Sequence, residues 1–318
     1  MPAISVIIPT LNRSEIVKIA IASVLTQTYS NFELIVVVDG ADPATEESLR
    51  GIADSRVRVV VNPSNLGLAE SRNVGVRLSE GDWIAFLDDD DEWLPEKLAK
   101  QLAVAKSIQG SQVLVVSRFL ERSDAMERVW PEVLPDSTDR LSEYMFLRRG
   151  MLIPSTYFIS KQLLLDVSFT PGLRHLEDID WLLRIAADPR TKIGASTDAL
   201  VIYNNYYVPG RESLGVRWQV YYSWAVSHRN LFTSLAFSLY IVKAIVPKAR
   251  NARASMRELL LLLFSALLLG KIDSRTIFYF LASALFTSDF KRRVREFVSP
   301  RARYARRSSR SVQTGGTL

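Results

Sequence analysis

The chain has 318 residues, 48% apolar and 23% charged, with two histidines (His175 and His228) and no cysteine. A chain of this size can bury one large or two ordinary cores. The absence of cysteine excludes disulfides, thiolate zinc sites and cysteine nucleophiles, and two histidines disfavour a multi-histidine metal centre. The net charge of +6 sits in one place: residues 291–310 carry nine Lys or Arg against one acid, Glu296, so that segment holds +8 and the remainder −2.

Residues 1–120 alternate between β-like and helical patterns. Ser5-Val6-Ile7-Ile8 reads as a buried strand. The spacing of Ile16, Ile19, Ala20 and Val24 predicts a helix over 14–28, with Ser14 as its cap. Phe32 to Val38 is a second strand, ended by Asp39-Gly40, and Pro43 to Ala53 is helical. Val57 to Val61 is a third strand, closed by Asn62-Pro63, and Leu66 to Leu78 is helical. Trp83 to Leu87 is a fourth strand, Pro95 to Ile108 a helix with Pro95 in its first turn, and Gln112 to Phe119 a fifth strand. Short buried strands separated by helices imply β-α-β units with helices on both faces. The expected fold is an open, mostly parallel twisted α/β sheet. Its strand ends (Pro9, Val38-Asp39, Asn62 and the acids after Leu87) should converge on one crevice. The first turn, Pro9-Thr10-Leu11-Asn12-Arg13, lacks G-x-G-x-x-G, and no G-x-x-x-x-G-K-[ST] occurs, which disfavours dinucleotide oxidoreductases and P-loop enzymes.

The fourth strand runs into four consecutive carboxylates, Asp88-Asp89-Asp90-Asp91, followed by Glu92 and Trp93. If they continue the extended geometry, Asp88 and Asp90 share one side and Asp89 and Asp91 the other. An acid run is ordinarily a solvated turn. At the carboxyl end of an apolar strand, its hard oxygens also suit Mg2+ or Mn2+ held jointly with substrate phosphates.

Beyond residue 120 the pattern is less regular. Met145 to Gly150 closes a helix, and Leu152 to Ile159 resembles a strand interrupted by Pro154. Glu177-Asp178-Ile179-Asp180 places acids where a helix beginning there would favour them. From about residue 210 the chain reads as helical. The apolar runs 259–269 and 277–286 are each about a dozen residues, short of the roughly 20 that span a bilayer.

Five segments in order, Ser5 to Arg13, Val38-Asp39-Gly40, Asn65-Leu66-Gly67-Leu68-Ala69-Glu70-Ser71-Arg72-Asn73-Val74-Gly75, Phe86 to Leu98 and Leu176-Glu177-Asp178, resemble the motif series of glycosyltransferase family 2. The resemblance runs from residue 3 to about 185. It implies a GT-A fold, a nucleotide-diphosphate sugar donor (a UDP-sugar being the commonest), a divalent cation, Mn2+ or Mg2+, and inversion at the anomeric carbon. It puts a D-x-D motif on Asp88 and Asp90, with Asp90 the better direct metal ligand, Asp88 toward the ribose or sugar, and Asp89 in the donor site. It puts nucleobase recognition on Pro9, Thr10, Asn12 and Asp39, nucleotide contact on Arg72, and the catalytic base on Asp178, paired with Glu177. Where many members carry an Asp before Asp39, this chain has Val38. His228 is a further candidate ligand, set against the plainer reading of a helix-face histidine packed by Trp224 and Phe232.

The chemistry agrees with that assignment. Displacing a nucleotide diphosphate requires neutralising the departing phosphates and removing a proton from the acceptor hydroxyl, which one acid cluster and one separate carboxylate can do. The expected division is a transferase domain over 1–210, a helical region over 211–290 and a basic, mobile tail over 291–318. The expected acceptor is lipid-linked or a growing surface polysaccharide. With the charge in the tail, an anionic membrane surface is the expected partner and nucleic acid is not. The first apolar stretch lacks a charged leader, so the expected location is cytoplasmic, peripheral to the inner face of the cell membrane. A sugar-nucleotide-forming nucleotidyltransferase and a non-catalytic membrane scaffold are the alternatives. The first usually needs a glycine-rich basic loop after strand one, and retention of both acid sets argues against the second.

Overall fold

A computed structural model of the chain describes residues 1–123, 126–136, 139–147, 150–205, 217–271 and 273–285. The basic tail lies outside the described residues. The chain divides into two compact units, Met1–Val216 and Arg217–Leu318.

The first unit contains β1 (Ile4–Thr10), α1 (Ile16–Leu25), β2 (Phe32–Val38), α2 (Pro43–Arg50), β3 (Val57–Val61), α3 (Leu68–Leu78), β4 (Trp83–Phe86), β5 (Glu92–Trp93), α4 (Lys97–Ser107), β6 (Val113–Arg122), β7 (Glu127–Trp130), α5 (Leu141–Leu147), β8 (Phe158–Ser160), α6 (Lys161–Asp166), α7 (Glu177–Ala186) and β9 (Lys192–Asn204). One sheet runs in the order β3-β2-β1-β4-β8-β6-β9-β5, with β7 paired to β6. β3, β2, β1 and β4 are parallel. The short β8 runs antiparallel to both β4 and β6, so β6 and its parallel partner β9 keep the direction of the first four strands.

Alternate residues of each strand supply two cores, one on each face. Ile4, Val6, Ile8, Leu34 and Val36 pack against Val17, Ile21 and Val24 of α1 and Leu98 and Leu102 of α4. Ile7, Ile35 and Val37 face Ala69 and Val76 of α3, Trp181 and Leu182 of α7 and Tyr144 of α5. Fully buried β-branched runs of this kind form strands covered by helices on both sides.

Local expectations fail in three places. Ser14 is not the cap of α1: Glu15 holds that position without a side-chain cap bond. The capping carboxylate is Asp42, which accepts from the Thr45 amide ahead of Pro43 at the start of α2. Pro95 precedes α4 rather than opening it, and Pro154 begins a short 3-10 turn, Pro154–Thr156, instead of interrupting a strand.

Where α3 returns to β4, a Cβ on Gly81 would come within 2.7 Å of the β1 backbone at Ile4 and Ser5. Backbone cannot yield as a side-chain tip can. Gly81→Ala is expected to destabilise the fold by about 1–3 kcal/mol, seen as a lower urea midpoint at unchanged slope.

The second unit is helical: α8 (Trp218–Ser227), α9 (Ser234–Tyr240), a π-helical turn Ile241–Ile245, α10 (Val246–Asn251), α11 (Met256–Leu268) and α12 (Ser274–Leu285). Ser255 and Glu258 form a reciprocal capping box at the start of α11.

Candidate active site

The carboxyl ends of β1, β2, β3 and β4 build the site. β4 stops at Phe86, so the four aspartates do not continue the strand. They form a turn closed by the Asp91 amide donating to the Asp88 carbonyl at 3.1 Å. Their arrangement is therefore set by the turn and its partners, not by strand alternation. Asp88 accepts from Arg72 at 2.7 Å, while Asp89 and Asp90 both meet Arg13, at 2.6 and 3.3 Å. Thr10, the last residue of β1, donates its hydroxyl to Asp89 at 2.7 Å. Burial pushes the Asp89 carboxyl up to about 6, against the pull of Arg13 and Thr10.

Asp91 points inward. Ser155 donates its hydroxyl to Asp91 at 2.6 Å and accepts the Asp88 amide at 3.1 Å. The Asn204 amide also reaches Asp91, at 3.3 Å, and the Asn204 side chain donates to the Asp90 carbonyl at 3.0 Å. Burial, and then the charges of Asp88 and Asp90, hold Asp91 well above the usual carboxylate range. Trp93 packs beneath this turn, its indole N–H donating to the Ser155 carbonyl at 2.9 Å. The buried Lys97 ammonium lies 4.0 Å from the centre of the Trp93 ring.

At the end of β2, Asp39 holds the next loop. It accepts from the Asn62 side chain at 2.9 Å and from the amides of Leu66 and Gly67, both at 2.8 Å. Pro9 lies inside β1 opposite Val37. Asn12 is exposed in the left-handed region at φ 55, a conformation asparagine tolerates. Its amide donates to Asp42 at 2.6 Å.

Arg72, on the buried face of α3, is 1% exposed. Its guanidinium spans from Asp88 to Glu177, at 2.7 and 3.3 Å, leaving Nε buried without a partner. This bridge brings the acidic turn and the start of α7 to one place across 89 positions of sequence, Asp88 to Glu177. Asp178 follows in the first turn of α7 and accepts from the Ile179 amide at 2.7 Å. Desolvation, and then the charge of Glu177, push the Asp178 carboxyl up to about 7, although Arg72 and the Ile179 amide pull it down.

His228 lies in the second unit. Its Nδ1 sits 2.9 Å from the Trp224 carbonyl and 3.0 Å from the Ser227 hydroxyl, and its ring stacks on Trp224 at 5.3 Å. Among the described residues no group of three His, Cys, Asp or Glu could hold a metal ion. Two carboxylates completed by substrate phosphates are a sufficient donor set for Mg2+ or Mn2+, and Asp88 and Asp90, with 28% and 13% of their side chains exposed, fit that set.

The model of glycosyl transferase family 2 matches residues 5–164. The chain belongs to that family. It is 34% identical over 190 residues, 58% of its length, to an uncharacterized glycosyltransferase of Haemophilus influenzae, and spans 63% of that protein. It is 27% identical over 267 residues, 82% of its length, to the putative colanic acid biosynthesis glycosyl transferase WcaA of Escherichia coli K12, and spans 93% of it. It is 37% identical over 101 residues, 32% of its length, to the Escherichia coli UDP-Glc:alpha-D-GlcNAc-diphosphoundecaprenol beta-1,3-glucosyltransferase WfgD, and spans 40% of that protein. The fold resembles the crystal structure of S. aureus TarS 1-349 in complex with UDP-GlcNAc. That match has TM-score 0.55 and 18% identity, and covers 89% of this chain and 79% of TarS 1-349. This is the GT-A fold of family 2 glycosyltransferases.

The family match includes Asp39, Arg72 and the acidic turn but ends before Glu177 and Asp178. Three residues of this site have no role in the sequence reading: Arg13, Ser155 and Asn204. Only Arg13 left a signal, as a cation in the turn directly after a strand that points at the crevice.

Proposed function

We propose that this family 2 protein is an inverting, metal-dependent glycosyltransferase that moves a sugar from a UDP-sugar to a hydroxyl of a lipid-linked or surface-polysaccharide acceptor. The observation that carries the reading is the Arg72 bridge. It ties a carboxylate suited to a cation to the helix end bearing Asp178, whose proton affinity is near neutral. A base of that affinity accepts a proton efficiently at physiological pH.

Asp90, with Asp88, would hold a divalent cation, which when bound neutralises the leaving diphosphate. Thr10 and Arg13 hold the acidic turn in shape, and Arg13 adds a cation beside it. Asp39 keeps loop 62–67 in place beside the nucleobase position, with Pro9 near the end of β1 and Asn12 on the turn that follows it. Arg72 fixes Asp88 and Glu177 and flanks the nucleotide; Asp89 lies in the same donor wall. Asp178 removes the acceptor hydroxyl proton as that oxygen bonds to the anomeric carbon. The carbon–oxygen bond to phosphate breaks on the opposite face, its electron pair leaving with the nucleotide, which inverts the centre.

The names of WfgD and of the TarS complex support a uridine donor, and that of WfgD a diphosphoundecaprenol acceptor. The +8 segment at 291–310 supports attachment to the anionic inner face of the cell membrane. Titration calorimetry with UDP, GDP and dTDP, each with and without Mn2+, tests the reading. UDP is expected to bind most tightly and only weakly without the cation. Binding indifferent to Mn2+ would overturn the metal dependence, and a preference for GDP or dTDP would overturn the donor.

A further inference from the structure

The second unit leaves large apolar side chains in solvent along α11. Leu260, Leu261, Phe264 and Leu268 are between 52% and 66% exposed, while Leu259, Leu262 and Ala266 on the other side of the helix are buried. Positions 260, 264 and 268 recur every four residues and so form one stripe. On α12, Phe278 and Leu281 are 66% and 49% exposed. Single exposed hydrophobics need no explanation; a stripe of this kind does.

No described helix is long and apolar enough to cross a membrane. α11 has 13 residues; at 1.5 Å per residue that is about 20 Å, short of the roughly 30 Å of hydrocarbon in a bilayer. Exposed cations stand at both ends of the stripe: Arg253 and Arg257 at one, beside Glu258, and Lys271 and Arg275 at the other, where Arg275 also pairs with Asp273 at 3.0 Å. An apolar interior under an anionic surface matches that pattern of charge and grease. A second copy of the same face would bring like charges together instead.

We propose that the exposed leucine and phenylalanine face of α11, continued by α12, lies in the headgroup region of an anionic bilayer. The proposal rests on the membrane reading above but assigns the contact to a surface distinct from the basic tail.

Because the chain has no cysteine, Leu268→Cys in the full chain gives one site for an environment-sensitive fluorophore, with Glu47→Cys on α2 as control. Vesicles of phosphatidylcholine with about a third phosphatidylglycerol are expected to brighten and blue-shift the label at 268 and leave that at 47 unchanged. F264E/L268E, with the tail intact, is expected to sediment with these vesicles about tenfold less than wild type. Donor hydrolysis by the soluble variant serves as the check on its fold. Wild-type sedimentation by F264E/L268E, with binding lost on removing 291–310, would overturn this surface and leave the tail reading standing. The converse pattern would support this surface and remove the tail. A label already bright without vesicles, in a chain that runs as a dimer until F264E/L268E makes it monomeric, would assign the face to self-association and overturn the proposal.

Discussion

Replacing Asp178 by Asn is expected to lower sugar transfer by roughly a hundredfold to ten-thousandfold, the usual contribution of a positioned base. Donor binding should remain near wild type. The substitution keeps the shape and the place at the start of α7 and removes only the capacity to take a proton. The wild-type profile follows from the groups around this carboxyl. Burial and the charges of Glu177 and Asp88 hold it protonated up to about pH 7, against the opposing pull of Arg72 and the Ile179 amide. A protonated carboxyl cannot act as base. Wild-type kcat should therefore climb about tenfold per pH unit below that point and level off above it, while the Asn variant shows no such limb. Wild-type turnover by Asp178→Asn would remove Asp178 as the base and turn attention to Glu177.

Asp90→Ala is expected to abolish transfer by a different route, with a loss of roughly a hundredfold or more that appears in donor affinity as well. Asp90 meets Arg13 at 3.3 Å and retains partial exposure, so it can exchange that neighbour for a cation. Asp91 cannot, since Ser155 and Asn204 occupy it in the interior. In the Ala variant, calorimetry should show UDP binding that no longer responds to Mn2+. Undiminished Mn2+ enhancement would transfer the ligand role to Asp88 or Asp89. Taken together, the two variants separate the acid roles: one should lose chemistry alone, the other chemistry and metal-linked binding.

The parallel half of the sheet was legible because its signals are local. β2 and β3 begin and end at the residues expected, since short runs rich in Val and Ile and closed by Asp-Gly and Asn-Pro mark a strand locally, whether buried as in β2 or at the partly exposed sheet edge as in β3. β9 was not legible. Its first half, Lys-Ile-Gly-Ala-Ser-Thr-Asp, has neither a β-branched run nor clean alternation. It becomes a strand only by pairing with β6, nearly 80 positions away, through two register shifts. The acids were recognisable by type and place, but their arrangement was not. Arg13 meets Asp89 from 76 positions away and Arg72 meets Glu177 from 105, and no local periodicity encodes such pairs. Strand alternation does not set the arrangement, because the chain turns after Leu87 and Arg72, Arg13 and Ser155 hold the carboxylates there.

The acidic turn has a consequence for motion. Its anchors belong to β1 through Thr10, to α3 through Arg72, to the turn before β8 through Ser155 and to β9 through Asn204. A loop fastened to elements on both sides of the central strands has no opening mode of its own. Opening it requires breaking these bonds together, so its amides should exchange more slowly than those of a loop without such anchors. The reorganisation that a flexible loop would repeat in each catalytic cycle is completed once, during folding, and the carboxylates stay aligned between turnovers.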